Sequence, residues 1–220
     1  MRHLAGVLLD IDGTLVDSND AHAHAWVKAL SAHGLDVPFA NVRRLIGKGG
    51  DKLLPEAAGI DAASPQGKSI SKQRGEIFQK DFLPSLRPFP RAKELLARMK
   101  REGLRLAVAS SAKGDELKGL LRVCGADELV EASTSADDAD NSKPDPDIVH
   151  AALDRLGLPP EQVILLGDTP YDVEAGTRAG VKVVGLRCGG WHDLDGALAV
   201  YDAPADLLDG FDGSPFSAPR

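Results

Sequence analysis

Four aspartates follow hydrophobic runs of the chain at the points where strands are expected to end. Asp10 and Asp12 come directly after the first run, Asp168 follows a later one, and Asp172 lies one helical turn further on. The carboxyl ends of parallel strands meet at one edge of a sheet, so these side chains can converge. Converging carboxylates repel one another, and some stay protonated unless a divalent cation neutralises them. Hard oxygen ligands favour Mg²⁺, which binds through a few carboxylates together with a substrate phosphate.

Two further groups of polar residues occupy comparable positions. Ser110 and Ser111 follow another hydrophobic run, and Lys143 lies just before a predicted helix. Taken singly, each group also fits an ordinary structural role. An aspartate before a glycine can form a turn, an aspartate and a threonine can cap a helix, and a lysine can lie on the solvated surface. Their joint occurrence favours one shared site.

The hydrophobic periodicity predicts strands and helices in regular alternation. The predicted strands cover residues 6–10, 105–109, 128–132, 163–166 and 181–186, and helices are predicted over 92–102, 115–123, 146–156 and 171–179. Such alternation is typical of an α/β fold with a mostly parallel sheet covered by helices on both faces. Sheets of this kind bind ligands beyond the carboxyl ends of their strands, where the polar groups occur.

A mainly helical segment separates the first strand from the second. A helix is predicted over 21–33, and residues 37–83 contain no convincing strand. An insertion of roughly 65–70 residues is far longer than an ordinary connecting loop. We therefore expect a core formed by residues 1–16 and 88–220 and a helical cap formed by 17–87. The last residues, 210–220, contain Gly, Ser and Pro and are expected to be loosely ordered.

The composition argues against several classes of protein. Hydrophobic residues make up 43% and charged residues 27%, which is ordinary for a globular protein with a sizeable core. The net charge of −7 argues against general nucleic-acid binding, and the first hydrophobic run is too short for a signal peptide or a membrane span. Cys124 and Cys188 are expected to be free thiols in a reducing cytoplasm. Basic residues outnumber acidic ones between Val37 and Lys80, which suits a small anionic substrate but equally fits solvated helix faces.

In combination, these motifs resemble the haloacid dehalogenase-like hydrolases, in particular the phosphatase branch with a helical cap after the first strand. The motifs occur in order and the resemblance covers essentially the whole chain; they are Asp10-Ile11-Asp12-Gly13-Thr14, Ser110-Ser111, Lys143, and Gly167-Asp168-Thr169 with Asp172. The resemblance implies a Rossmann-like, three-layer core with strand order 5-4-1-2-3 and a small helical cap. The activity it implies is hydrolysis of a phosphate ester with Mg²⁺ as the cofactor.

The resemblance also implies a role for each site residue. Asp10 is similar to the nucleophile that forms an aspartyl-phosphate, and Asp12 to the general acid and base. Lys143 is similar to the cation that neutralises Asp10 and the phosphoryl group, and Ser110 resembles the hydroxyl that binds a phosphoryl oxygen. The implied metal ligands are Asp10, Asp12 (through its backbone carbonyl), Asp168 and Asp172, the last directly or through another ligand. Substrate or phosphate binding is implied for Thr14, Ser111, His22, Lys48 and Lys52.

Three functions are compatible with these motifs. The preferred one is a phosphatase for a small soluble phosphomonoester, because a dehalogenase has no need of Asp12 as an acid for its halide leaving group. A phosphomutase resembling β-phosphoglucomutase is the closest alternative, since His22 and Trp26 match a pattern of that group. Thr14 and Gly167 favour hydrolysis, because the mutases usually carry other residues there. A regulatory phosphate-binding protein without turnover is the third possibility.

A glycine-rich segment, residues 46–52, lies within the expected cap. It lacks the spacing of a nucleotide-binding phosphate loop and follows no strand. Its position matches the substrate-specificity loop of the family, where Lys48 or Lys52 would meet an anionic or hydroxylated leaving group; a flexible helix connection would look the same. The expected partner is a small-molecule phosphate ester, with no nucleic acid and no membrane. The expected assembly is a monomer or a weak homodimer.

Overall fold

A six-stranded parallel sheet forms the centre of the computed structural model, which describes residues 4–217. The strands are β1 (Gly6–Leu9), β2 (Arg105–Ala109), β3 (Ala132–Thr134), β4 (Val163–Gly167), β5 (Lys182–Leu186) and β6 (Ala199–Tyr201). Their order is β3-β2-β1-β4-β5-β6, and every neighbouring pair is parallel. The predicted order of the first five strands is therefore confirmed. The sequence prediction missed β6, a three-residue edge strand of half-buried residues without a continuous hydrophobic run.

The register of the central strands brings their carboxyl ends to one level. Leu9 at the end of β1 pairs with Val108 on one side and with Leu166 on the other. All four residues of β1 are buried, as expected for a central strand covered on both faces. The residues that follow these strands, Asp10, Ser110 and Asp168, consequently leave the sheet at the same edge.

Helices cover both faces of the sheet and fill the insertion after β1. They are α1 (Asn19–Ala32), α2 (Phe39–Arg43), α3 (Gly50–Ala58), α4 (Pro65–Ile77), α5 (Ala92–Arg101), α6 (Gly114–Cys124), α7 (Asp147–Leu156), α8 (Pro170–Arg178) and α9 (Pro204–Asp209). A π-helical turn, Phe78–Phe82, continues α4. Side chains alternate along β1, so Val7 and Leu9 pack in one hydrophobic cluster and Leu8 in another on the opposite face. This arrangement gives the three-layer core that the sequence predicts.

The helical segment between β1 and β2 has a hydrophobic cluster of its own. Trp26 and Leu30 of α1 pack with Leu53 and Leu54 of α3 and with Ile70 of α4. This separate cluster supports the division into a core and a cap at residues 17–87, which stays a prediction. Within residues 4–217, no helix combines the length and the hydrophobicity needed to cross a membrane.

Two local predictions were wrong. The third strand is Ala132–Thr134, displaced towards the C-terminus from the predicted 128–132, because residues 127–129 form a turn after α6. The C-terminal segment is ordered up to residue 217, since Phe211 and Phe216 are each 1% exposed and belong to the core. The Gly, Ser and Pro content suggested a loose tail, but two buried phenylalanines stabilise it. Residues 218–220 lie outside the described part of the chain.

Candidate active site

Three buried carboxylates lie together at the carboxyl edge of the sheet. Asp10 follows β1, Asp168 follows β4, and Asp172 lies in the first turn of α8; one oxygen from each is within 4.8 Å of the others. The Lys143 Nζ atom lies 2.6 Å from Asp10 Oδ1 and 2.7 Å from Asp172 Oδ1, and this side chain is 1% exposed. The cluster therefore contains three carboxylates and one ammonium, which contacts two of them. The fully ionised cluster has an excess of two negative charges.

The charge excess is visible in the pKa values of these groups. Burial raises the pKa of Asp10 from 3.8 to about 7, and Asp172 and Asp12 add to the rise while Lys143 opposes it. Burial, Asp10 and Asp172 raise the pKa of Asp168 well above its ordinary value. Burial alone would lower the pKa of Lys143, but the neighbouring Asp10 and Asp172 outweigh it and raise the pKa. The carboxylates thus lack compensating positive charge, and a divalent cation would supply it.

Hydrogen bonds and two glycines position the Asp168 carboxylate. Asn19, the first residue of α1, donates from Nδ2 to Asp168 Oδ2 at 2.8 Å. The Thr14 hydroxyl lies 3.1 Å from Asp10 Oδ2 and 3.2 Å from Asp168 Oδ1. A Cβ atom at Gly13 or at Gly189 would overlap the Asp168 carboxylate, and Gly13 also has a φ of 76°. Thr14 was predicted to bind substrate or phosphate, but it is fully buried and its hydroxyl faces these two carboxylates.

Both oxygens of Asp172 already have partners. Oδ2 accepts hydrogen bonds from the Thr169 backbone N at 3.0 Å and from Thr169 Oγ1 at 2.6 Å, which caps α8. Oδ1 faces the Lys143 ammonium. A Cβ atom at Gly167 would overlap the Asp172 carboxylate, so the position before Asp168 has no room for a side chain. These contacts favour a role for Asp172 in holding Lys143.

The Asp12 side chain lines the same cavity as Asp10 and contacts residues at the start of α1. Its Oδ1 accepts a hydrogen bond of 2.5 Å from the Ser18 hydroxyl and lies 2.8 Å from His22 Nε2. Burial would raise the pKa of Asp12, but the His22 charge and the hydrogen bonds from His22 and Ser18 together lower it. The His22 ring stacks on Phe78 with ring centroids 4.0 Å apart. Asp12 and His22 thus form a second polar group beside the carboxylate cluster.

The two serines after β2 have different surroundings. The Ser110 Oγ atom accepts a hydrogen bond of 3.1 Å from the Ala112 backbone N, and Ser110 is 1% exposed. The Ser111 Oγ atom is buried and has no hydrogen-bond partner among residues 4–217. Buried polar atoms normally have a partner, so the Ser111 hydroxyl is available to a ligand.

A small cavity of about 50 Å³ opens above Asp10 and Asp12, between the sheet edge and the helical segment. Its lining residues are Asp10, Asp12, His22, Trp26, Ile46, Gly47, Lys48, Gly49, Gly50, Arg74, Ser111, Ala112 and Glu116. The sheet edge supplies reactive side chains, and α1, α3, α4 and the 46–50 loop supply the opposite wall. A phosphoryl group bound here would lie next to Asp10.

Both cap lysines that were predicted to bind substrate pair with carboxylates of the protein. Lys48 lines the small cavity, but its ammonium lies 2.6 and 2.7 Å from the two Glu56 oxygens and over the Tyr171 ring. Lys52 is absent from the lining of this cavity and pairs with Asp145 at 2.8 Å. Lys52 therefore lies outside the small cavity, and its contact with substrate stays a prediction. The sequence shows that Lys48 and Lys52 carry positive charges. The tertiary packing decides which carboxylate pairs with each of them.

Sequence reasoning overlooked Arg74, Glu116 and Asn19. Arg74 of α4 reaches the small cavity and pairs with buried Glu116 of α6 at 2.7 Å, which links the helical segment to α6. A helical pattern containing Ile70 and Arg74 one turn apart could have put Arg74 on the inner face of α4. From the sequence, Asn19 could be recognised only as a possible helix-capping residue. Its contact with Asp168 could not be predicted, because the two residues are 149 positions apart.

Comparisons with known proteins found one matching family and several similar sequences and structures. The model of the family described as haloacid dehalogenase-like hydrolase matches residues 7–186. The chain is 29% identical to N-acetylmuramic acid 6-phosphate phosphatase from Pseudomonas aeruginosa over 95% of both chains. It is 31% identical to phosphoglycolate phosphatase from Aquifex aeolicus, covering 92% of this chain and 94% of the relative. A solved hydrolase from Pseudomonas syringae superimposes with a TM-score of 0.87 at 29% identity, covering 95% of this chain and 98% of the other.

Proposed function

The chain belongs to the haloacid dehalogenase-like hydrolase family, and we propose that it hydrolyses a small phosphomonoester through an aspartyl-phosphate on Asp10, with Mg²⁺ as its cofactor. Similar proteins are named phosphatases, which supports the assignment as a phosphoric monoester hydrolase. This assignment does not depend on the proposed aspartyl-phosphate or on Mg²⁺. One observation carries the finer proposal. Asp10 is held beside Lys143, Asp168 and Asp172 under a small polar cavity that also contains Asp12.

The residues that line the cavity, together with Lys143 beside Asp10, would perform both halves of this reaction. The Asp10 carboxylate attacks phosphorus, so that an Asp10–phosphorus bond forms while the bond to the leaving oxygen breaks. To act as the acid, Asp12 must be protonated when the ester binds, although its contacts with His22 and Ser18 lower its pKa. It gives this proton to the leaving oxygen, then accepts a proton from the water that attacks the phosphoryl group and releases phosphate. Lys143 compensates the negative charge of Asp10 and of the phosphoryl oxygens. The free hydroxyl of Ser111 binds one of these oxygens.

The donor set fits a divalent cation. Asp10 and Asp168 would hold it, helped by the backbone carbonyl of Asp12, while Asp172 would act through Lys143. When bound, the cation neutralises the carboxylates and the phosphoryl oxygens. The cationic charge that these carboxylates lack is the support for this proposal. The choice of Mg²⁺ rests on the all-oxygen donor set.

The raised pKa of Asp10 should make the stabilising effect of added Mg²⁺ depend on pH. At pH 6, Asp10, with a pKa of about 7, still binds a proton that the cation must displace, whereas at pH 8 it is ionised. The native protein binds more protons here than the unfolded chain, so the stability of the metal-free protein falls as the pH rises from about 4 to 7. We expect Mg²⁺ to raise the melting temperature of EDTA-treated protein more at pH 8 than at pH 6.

Differential scanning fluorimetry would measure these shifts. The matched control is Asp168→Asn, which removes one predicted ligand and should abolish the shift at both pH values. Equal shifts of the wild-type protein at pH 6 and pH 8 would contradict the charge argument.

Release of inorganic phosphate from a panel of esters tests the proposed function directly. Purified protein would be incubated with 2-phosphoglycolate, glycerol 3-phosphate, hexose 6-phosphates and sugar-acid phosphates, with Mg²⁺ or with EDTA. We expect release from at least one ester with Mg²⁺ and none with EDTA, since the metal-free carboxylates repel the phosphate. Absence of release from every ester, or undiminished release in EDTA, would overturn the proposal.

A phosphomutase is the second candidate, favoured by the position of His22. His22 Nε2 lies 2.8 Å from Asp12, the contact expected if the histidine controls the proton of Asp12. Against it, Gly167 has no space for the acidic side chain usual in the mutases. Incubation of β-glucose 1-phosphate with a bisphosphate activator would decide the matter. If free phosphate forms faster than glucose 6-phosphate, the mutase reading is excluded.

A further inference from the structure

The loop that carries Lys143 has no regular secondary structure. Its residues, 139–146, precede α7 and belong to no helix or strand. The Lys143 ammonium nevertheless lies 2.6 Å from Asp10 and 2.7 Å from Asp172, and the proposed reaction requires it beside the phosphoryl group. A displacement of about 1 Å can lower the rate of a catalysed step about 100-fold. The contacts that fix this loop therefore bear directly on the function of the lysine.

The core holds this loop at positions on both sides of the lysine. Arg178 of α8 donates a hydrogen bond of 3.2 Å to the Pro144 carbonyl. The Asn141 backbone N donates one of 3.1 Å to Asp147 Oδ2 in the first turn of α7. Ser142, which lies between these two anchors, is held by a different part of the chain.

The partner of Ser142 is the helical segment between β1 and β2. The Ser142 backbone N donates to Asp51 Oδ2 at 3.2 Å, and its hydroxyl donates to Asp51 Oδ1 at 2.5 Å. The hydroxyl oxygen accepts a hydrogen bond of 3.0 Å from the Gly49 backbone N. A Cβ atom at Gly49 would lie 2.6 Å from the Ser142 Cβ atom, so the absence of a side chain permits this close approach. One carboxylate of the helical segment thus binds both donors of the residue that directly precedes Lys143.

A neighbouring contact between the same two parts of the chain is weaker. Lys52 pairs with Asp145 at 2.8 Å, but both side chains are partly exposed, and water screens such ion pairs. Ser142 is only 7% exposed, so removal of the Asp51 carboxylate would leave two donors of a buried residue without their acceptor. Asp51 itself is exposed, which moderates the expected effect.

We propose that Asp51 is a positioning residue for Lys143 and acts through Ser142. Asp51 does not line the small cavity over Asp10, so its effect on the reaction passes through the loop and not through contact with the phosphoryl group. The helical segment thereby contributes to the chemical step by holding a residue of the core in place. This inference rests on the proposed phosphatase function.

Substitution of Asp51 by alanine removes both acceptors of Ser142. With the ester of the panel that gives the highest kcat/KM, we expect kcat to fall about fivefold and KM to change less than about twofold. Asp51→Asn keeps one acceptor oxygen and should recover at least about half of the wild-type kcat. Asp36→Ala, an exposed acidic position of the same helical segment outside the cavity lining, is the matched control and should retain the wild-type kcat. An unchanged kcat in Asp51→Ala would overturn the proposal.

The same substitution in a protein without the ammonium tests whether Asp51 acts through Lys143. In Lys143→Met, the further change Asp51→Ala should alter kcat by less than about twofold, because the group that Asp51 positions is already absent. A carboxylate that only stabilises the fold, or that binds the ester itself, would lower kcat in both backgrounds. An equal fivefold loss in both would therefore overturn the proposal.

A second pair of variants tests the same path with Lys143 intact. Because Asp51 acts on the loop through Ser142, the double variant Asp51→Ala/Ser142→Ala should lose no more kcat than Asp51→Ala alone. Losses that multiply would overturn the positioning role, while the phosphatase function stands. No phosphate release by the wild-type protein from any ester would overturn the proposed function, and this inference with it.

Discussion

Replacement of Asp10 by asparagine is expected to lower kcat for phosphate release by about 10⁴-fold or more. The amide keeps the shape of the side chain but cannot attack phosphorus, and it no longer attracts Lys143 as a charge. The fold should persist, because ionised Asp10 is itself unfavourable. Its folded pKa of about 7 lies above the ordinary 3.8, so its ionisation lowers the stability of the metal-free protein as the pH rises from about 4 to 7. In EDTA at pH 8, Asp10→Asn should therefore melt at or above the wild-type temperature.

Steady-state phosphate release and thermal unfolding measure the two effects separately. Asp17→Asn is the matched control, since Asp17 is exposed and lies outside the cavity. It should retain wild-type activity. Turnover by Asp10→Asn within about tenfold of the wild-type rate would show that another group attacks phosphorus.

Substitution of Lys143 by methionine is expected to reduce both activity and stability. The variant leaves Asp10 and Asp172 without the cation that lies 2.6 and 2.7 Å from them, in surroundings where the lysine is 1% exposed. Loss of one partner from a buried ion pair costs about 3 kcal/mol or more of the free energy of unfolding. Loss of a cation directed at the phosphoryl group should lower kcat by about 10³-fold.

The stability loss in Lys143→Met should depend on pH. Without the ammonium, which opposes the rise, the folded-state pKa of Asp10 rises further, so the native protein binds still more protons than the unfolded chain. The loss relative to wild type should therefore be small near pH 5, where Asp10 is protonated, and largest near pH 8. Urea unfolding at both pH values measures it. Lys118→Met, at a side chain that is 71% exposed, should leave the stability unchanged at either pH. An equal loss at pH 5 and pH 8 would contradict the electrostatic account.

The fold could be predicted in large part because its determinants are local. Hydrophobic runs ended by polar residues identified β1, β2, β4 and β5, and glycines after the helices marked where α6 and α7 end. Parallel packing then requires the strand-ending residues to meet at one edge, and Asp10 and Asp168 do so. The weak elements were displaced or missed, namely β3 and β6, each only three residues long. Their stability comes from neighbouring strands and not from their own pattern.

The roles of the site residues remain predictions, but their surroundings could come only from the tertiary structure. Lys48 and Lys52 looked equally available, yet Glu56 neutralises one and Asp145 the other. The sequence could not show that both oxygens of Asp172 are occupied. Cytoplasmic localisation, and a monomeric or weakly dimeric state, likewise stay predictions.

The aspartates that follow the strands could be identified as candidate site residues from the sequence alone, because residues at the carboxyl ends of parallel strands lie at the edge of the sheet where ligands bind. The tertiary packing decides which side chains surround these aspartates. Asn19 contacts Asp168 across 149 positions, and Arg74 meets Glu116 across 42. The small cavity over Asp10 lies between segments far apart in the chain. The sequence by itself determined that a charged centre forms at the end of β1. Only the folded chain decided which side chains neutralise that centre and what shape of molecule fits beside it, because both depend on contacts between distant residues.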